Sequence, residues 1–274
     1  MNTIALAGRA KRGRPRPVEV VPGVWRVGGG SWGGAVEAAS AEEDANVYLL
    51  RLDGAQALVD CGTRAGRDDV QRNLRSLGRD PDALSDLLLT HSHWDHTEAA
   101  GAWQAALPTL RTHLNRTGAA FLARADHRLV GYQIREPTYA FDPFRVDHEV
   151  ADGDTFELGC TRIKAHFLPG HTPDSTVYTL ELDGQVIGIS GDVMFGPRAD
   201  QKAVLGQLCT LWLSNLDEYV ESLHRLAEVP IDVLLPGHGS AVVGRRRVAE
   251  AKRATLKLAS SLAADDRVRA NVGI

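Results

Sequence analysis

The stretch Thr90-His91-Ser92-His93-Trp94-Asp95-His96 puts three imidazoles and a carboxylate within six consecutive residues. Neutral imidazole and carboxylate are the natural ligands of zinc, and they also serve iron and manganese. The run continues from Asp86-Leu87-Leu88-Leu89-Thr90, which reads as a short buried strand. Side chains two apart point the same way on extended chain, so His91 and His93 can meet one ion. Asp95 and His96, on the following turn, can face a second position. Three later places repeat the design, each a polar residue just past a β-run with glycine before it: Gly170-His171, Gly191-Asp192 and Gly237-His238. Glycine permits a tight turn and close backbone approach, and strand ends held by a sheet are rigid mounts for ligands. Five His and two Asp suffice for two adjacent metals. The remaining histidines, His113, His127, His148, His166 and His224, have no such setting and are read as structural.

The elements that must hold these residues follow from the apolar pattern. Val24–Val27 reads as a strand. Residues 46–52 and 56–60 read as two more, joined by the turn pair Asp53-Gly54. Val70, Leu74 and Leu77 recur at helical spacing, and residues 97–107 read as a helix that stops before Pro108. The middle, 112–145, is expected to be helical in its first half and looped in its second. Strands are expected near 156–158, 162–168, 176–182, 185–190 and 231–235, with helices over 215–229 and 245–262. Strands and helices interleave while several strand pairs are hairpin-like, which predicts two mixed sheets packed together with helices outside.

Composition excludes other classes. The chain has 274 residues, 43% of them apolar and 24% charged, as in a soluble globular protein. Its 31 Lys+Arg against 35 Asp+Glu leave a net charge of −4, a poor basis for binding polyanions. No apolar run reaches the ~18 residues of a membrane helix, and three Cys cannot all pair internally. Residues 1–17 read as a flexible basic extension, and 18–274 as a single domain. No apolar h-region follows the early charges, so a cytoplasmic setting is expected. Residues 28–45, rich in Gly, Ala, Ser and acid, read as a mobile loop.

With these motifs in place, the sequence resembles the metallo-β-lactamase superfamily. The matching runs are THSHWDH at 90–96, PGHTPDS at 169–175, GD at 191–192 and PGHG at 236–239, with VDCGT at 59–63 similar to a strand-end Asp-x-Gly. The resemblance covers nearly the whole chain from about 24 to 262. It implies an α/β, four-layer αββα sandwich with a metal site at the sheet edge. It also implies that His91, His93 and His171 bind one metal, that Asp95, His96 and His238 bind another, and that Asp192 bridges them. Asp60 would stand behind the ligands and orient an imidazole or the turn.

The implied activity is that of a dinuclear metal-dependent hydrolase, with zinc as the expected ion and iron or manganese also suited. A hydroxide bridging the metals would attack an acyl carbon of a thioester, lactone or related ester, with Asp95 and Asp192 as the catalytic carboxylates. Asp192 argues against the zinc β-lactamases, which carry Cys or another residue there. It matches glyoxalase II-like thioesterases, lactonases and several phosphodiesterases. Phe195 stands where lactonases often have Tyr, and only 36 residues follow His238, whereas glyoxalase II enzymes carry a long helical extension. Alternatives are a mononuclear-iron persulfide dioxygenase using His91, His171 and Asp192, a β-lactam-hydrolysing member, or a non-catalytic member of the fold. Trp32, Trp94 and Phe195 are candidate pocket residues, and Trp94 could equally pack under the metal loop. Tyr132, Tyr139, Phe141 and Phe144 could line a lid or fill core. A small-molecule substrate is expected, with no nucleic-acid or membrane partner. The oligomeric state is left open, a dimer included.

Overall fold

The computed structural model describes residues 16–30, 38–124, 130–131, 142–197, 205–206, 208 and 213–265. The expected basic extension falls outside them except at Arg16 and Pro17. Trp32, His127, Tyr132, Tyr139 and Phe141 also lie outside the described residues.

A strand that is apolar on both faces must be covered on both. In β3 (Val47–Leu52), Val47 and Leu49 are buried on one face while Tyr48, Leu50 and Leu52 are buried on the other. The next two strands across the sheet, β4 (Ala55–Val59) and β5 (Asp86–Leu88), divide the same way: Val59 and Leu88 join the inner cluster, Leu58 and Leu87 the outer one. These strands sit in a seven-stranded sheet with β1 (Val18–Val21), β2 (Val24–Gly28), β6 (Arg111–Asn115) and β7 (His148–Val150). The order is β1-β2-β3-β4-β5-β6-β7, antiparallel through β4 and parallel beyond it. The second sheet has six strands: β8 (Thr155–Leu158), β9 (Thr161–Phe167), β10 (Thr176–Leu182), β11 (Gln185–Gly191), β12 (Val233–Pro236) and β13 (Val242–Val243). It is antiparallel except where β11 runs parallel to β12.

Ile163, Tyr178, Ile187, Ile189, Val233 and Leu235 face Leu50, Val59 and Leu88 between the sheets. Helices α1 (Arg67–Ser76) and α3 (Ala100–Ala106) cover the outside of the first sheet with Val70, Leu74 and Trp103. Helices α5 (Leu216–Glu228) and α6 (Arg245–Ala263) cover the second with Tyr219, Leu223, Leu226 and Val248. The result is the expected four layers. Among the described residues no helix is long and apolar enough to cross a membrane.

Three local expectations are corrected. The helix expected over 97–107 begins only at Ala100, as α3, and a separate short α2 (Trp94–Thr97) precedes it, so Asp95 and His96 stand on a helical turn. The break has a cause: Ala99 N donates to Gly62 O at 3.1 Å and so leaves the helical ladder for the 60–63 loop. The segment after 110 begins as a strand, β6, before α4 (Arg116–Ala123) starts under an Asn115 cap whose side chain accepts from Thr117 N at 2.8 Å. In the loop expected at 28–45, residues 39, 40, 44 and 45 are buried, and Gly29 O accepts from the backbone of both Ala39 and Ser40.

Candidate metal centre

Each sequence-predicted ligand sits where a strand of one sheet runs out. β5 leads through Leu89 and Thr90 into His91 and His93, and α2 carries Asp95 and His96. The second sheet supplies His171 after β9, Asp192 after β11 and His238 after β12. All seven side chains come together, and none of the seven residues is more than 5% exposed. Their donor atoms form two groups, His91, His93, His171 and Asp192 in one and Asp95, His96 and His238 in the other, each within 4.8 Å internally.

Asp192 stands between the groups. Its Oδ2 is 3.4 Å from His171 Nε2 and 3.5 Å from His238 Nε2, and its Oδ1 is 3.4 Å from His96 Nε2. His238 Nε2 also lies 3.1 Å from Asp95 Oδ2. In the first group, His93 Nδ1 and His171 Nε2 face each other at 3.1 Å.

Asp60 decides which nitrogens look inward. Its Oδ2 accepts from His96 Nδ1 at 2.7 Å, which leaves His96 Nε2 as the free lone pair. Asp60 also accepts from Thr90 N at 2.8 Å and from Thr90 Oγ1 at 2.9 Å. With its single proton committed there, the Thr90 hydroxyl can only accept from His91 Nδ1, 3.1 Å away. One carboxylate therefore sets the tautomers of two imidazoles, one in each group. Asp60 has φ 54°, a left-handed conformation that Asp tolerates better than most residues.

Burial and close packing of imidazoles hold His91 well below the usual histidine range and drive His93 down to about 3. Both are neutral at physiological pH. Burial would also lower His96 and His238, but Asp192 and its neighbouring carboxylates outweigh it and raise both. Burial opposes ionisation of Asp192, yet His238, His96 and His171 hold its carboxyl well below the carboxylate range. The inward atoms His91 Nε2, His96 Nε2 and Asp192 Oδ1 are buried and make no hydrogen bond. Buried polar atoms are rarely left so. Buried imidazole nitrogens and carboxylate oxygens converging without hydrogen-bond partners fit divalent cations, which would take the place of the protons that the carboxylates otherwise favour on His96 and His238.

Glycine is required by close approach beside two of these ligands. A Cβ on Gly237 would lie 2.2 Å from Asp192 Oδ1 and 2.7 Å from His96 Cε1. A Cβ on Gly170 (φ 131°) would lie 2.3 Å from Tyr219 Cα on α5.

Of the pocket candidates, Phe195 is half-buried with its ring 4.9 Å from that of His238. Trp94 is buried in a small apolar cluster with Val130, beside Leu122 and Phe144. Outside the centre, His113 is paired with Asp86 at 2.8 Å, His166 with Thr179 at 2.9 Å, and His148 stacks on His113, all structural settings. Cys61 and Cys160 are free thiols. Sequence reasoning gave no role to Thr90, Thr63 or Asn46. Thr63 donates through N and Oγ1 to Asp44, and Asn46 bonds the turn that carries His238. Polar residues bounding β-runs were the signal, but a sequence does not show their partners.

Two mixed sheets sandwiched between helices, with a His/Asp centre at the strand ends, define a metallo-β-lactamase-type protein. The chain belongs to the metallo-β-lactamase superfamily, whose family model matches residues 41–238. It is similar to an atrochrysone carboxyl ACP thioesterase of Aspergillus fumigatus, 25% identical over 72% of this chain and 51% of that protein. It is also similar to a probable metallo-hydrolase, YqgX, of Bacillus subtilis, 27% identical over 71% of this chain and 85% of that one. The match thus spans about half the length of the first relative and most of the second. In fold it resembles the MIM-2 metallo-β-lactamase, with a TM-score of 0.67 at 22% identity over 92% of this chain and 90% of that one.

Proposed function

We propose that this chain is a dinuclear metal-dependent hydrolase acting at an acyl carbon, with thioesters as the leading substrate class and lactones or related esters behind them. The observation that carries the reading is the position of Asp192, whose two oxygens lie 3.4–3.5 Å from imidazole nitrogens of both ligand groups. In this reading His91, His93 and His171 would hold one ion, Asp95, His96 and His238 would hold the other, and Asp192 would serve both. Zinc suits this donor set best, and iron and manganese are also served by it. Two such ions supply Lewis acidity for a carbonyl oxygen and a nucleophilic water at neutral pH.

The residues of the chain do the rest. Asp60 keeps His91 and His96 in the tautomers that present Nε2. Asp95, 3.1 Å from His238, holds a negative charge at the mouth of the second group and can accept a proton from water there. Phe195 gives that side an apolar wall with no hydroxyl, which suits an acyl chain. The A. fumigatus relative, whose name records a thioesterase acting on an acyl carrier protein substrate, supports placing thioesters first.

The test is metal content per chain in protein purified without added metal, paired with thioester hydrolysis. Two zinc or manganese ions per chain are expected, and His93→Ala or Asp192→Ala should abolish metal-dependent turnover while the fold persists by circular dichroism. Full activity in Asp192→Ala would sink the reading. One iron per chain with persulfide-dependent oxygen uptake would replace it with the dioxygenase.

A further inference from the structure

The turn that carries His238 is held from the opposite sheet. Asn46, the residue before β3, donates through its side-chain amide to Pro236 O and to Gly239 O, 2.9 Å each. Its backbone N donates to Gly237 O at 2.6 Å. Tyr48, two residues on, donates its hydroxyl to Pro236 O at 2.8 Å. Arg26 Nη1 donates to Asn46 Oδ1 at 3.4 Å, which fixes the amide with its NH2 toward the turn. Asn46 and Tyr48 are buried, so their bonds to the turn are ones that water does not replace.

The same short segment reaches a second member of that ligand group: Ala45 N donates to Asp95 O at 3.2 Å. Residues 45–48 therefore tie Asp95, from the first sheet, to His238, from the second. The first group is braced differently. The His171 loop is held by Ser214 Oγ on His171 O and by Ser222 Oγ on Pro169 O, both at 2.6 Å.

We propose that Asn46, backed by Tyr48, is the positioning residue that sets His238 against Asp95 and His96, and so forms the second metal position without governing the first. The proposal rests on the two-metal reading above. Asn46 touches no reacting atom and acts only through the backbone around His238.

The experiment is zinc binding by the full chain, measured by equilibrium dialysis at graded free zinc with elemental analysis. The wild type should fill in two steps. In Asn46→Ala the first step should stay in place and the second weaken by about 10- to 100-fold, the range seen when a group orienting a metal ligand is removed. Asn46→Asp, which sets a carboxylate against two carbonyl oxygens, should weaken the second step at least as far. Tyr48→Phe removes one donor from a carbonyl that keeps another, so it should shift the second step alone and less, and it decides the matter if the Asn46 variants do not fold. A purely structural role would move both steps together, or only the thermal midpoint of the metal-free chain, and either result overturns the proposal. So does an unchanged second step. A wild type that takes up a single ion overturns the two-metal reading itself, which is a different failure.

Discussion

Asp60 shows how much a single side chain governs here. It accepts from His96 directly and from His91 through the Thr90 hydroxyl, so both imidazoles owe their inward lone pairs to it. Asp60→Asn keeps the shape but places either an amide N–H or a neutral oxygen where the carboxylate accepted. Metal affinity should fall by about 10- to 100-fold, measured by competition with a chromophoric chelator, with the circular dichroism spectrum unchanged. Asp60 could be picked out from the strand-end run VDCGT. The part played by Thr90 could not, because which way a hydroxyl donates depends on partners 30 positions away.

At the scale of the element, residues 38–45 carry the clearest lesson. Small and acidic residues suggested a mobile loop, yet Asp44 is buried and accepts hydrogen bonds from Ser40 Oγ and from Thr63 N and Oγ1. It also lies against Gly62 and Gly66, where a Cβ would meet its carboxylate at 3.0 and 1.7 Å. Tertiary burial overrode composition, because a carboxylate with several donors can nest against glycines that leave it room. Burial raises Asp44 from 3.8 to about 6, against the lowering effect of its hydrogen bonds. A folded value above the unfolded one means the native state binds the extra proton between these two values. The contribution is therefore fully present below about pH 4 and is lost as pH rises through about 6. Relative to Asp44→Asn, the wild type should lose about 2–3 kcal/mol between pH 4 and 7, read from urea unfolding across that range. The start of α3 at Ala100, where the apolar pattern predicts 97, has a similar origin: only the bond from Ala99 N to Gly62 O shows where the ladder from α2 breaks.

For the whole molecule, the centre is a seam. His91, His93, Asp95 and His96 belong to the first sheet's side, and His171, Asp192 and His238 to the second. Ions held across that seam would bind the folded chain and not the unfolded one, so they should stabilise it by mass action. At a free metal concentration of 100 times Kd each ion contributes about 2.7 kcal/mol, so stripping both with a chelator should lower the thermal midpoint by roughly 10–20 °C. Scanning calorimetry with and without chelator would check this, and Asp192→Ala should lose most of the difference.

The candidate donor residues, their order along the chain and the layered α/β sandwich were legible in the sequence, because side-chain chemistry and apolar periodicity are local properties of neighbouring residues. Only the tertiary structure decided that Asp192 stands between the two groups, that one carboxylate sets two tautomers, and that Asn46 grips the His238 turn. Those facts are contacts between residues far apart in the chain, by as many as 193 positions, within one sheet for Asp60 and between the two sheets for Asp192 and Asn46, and they exist only once packing has brought the strand ends together.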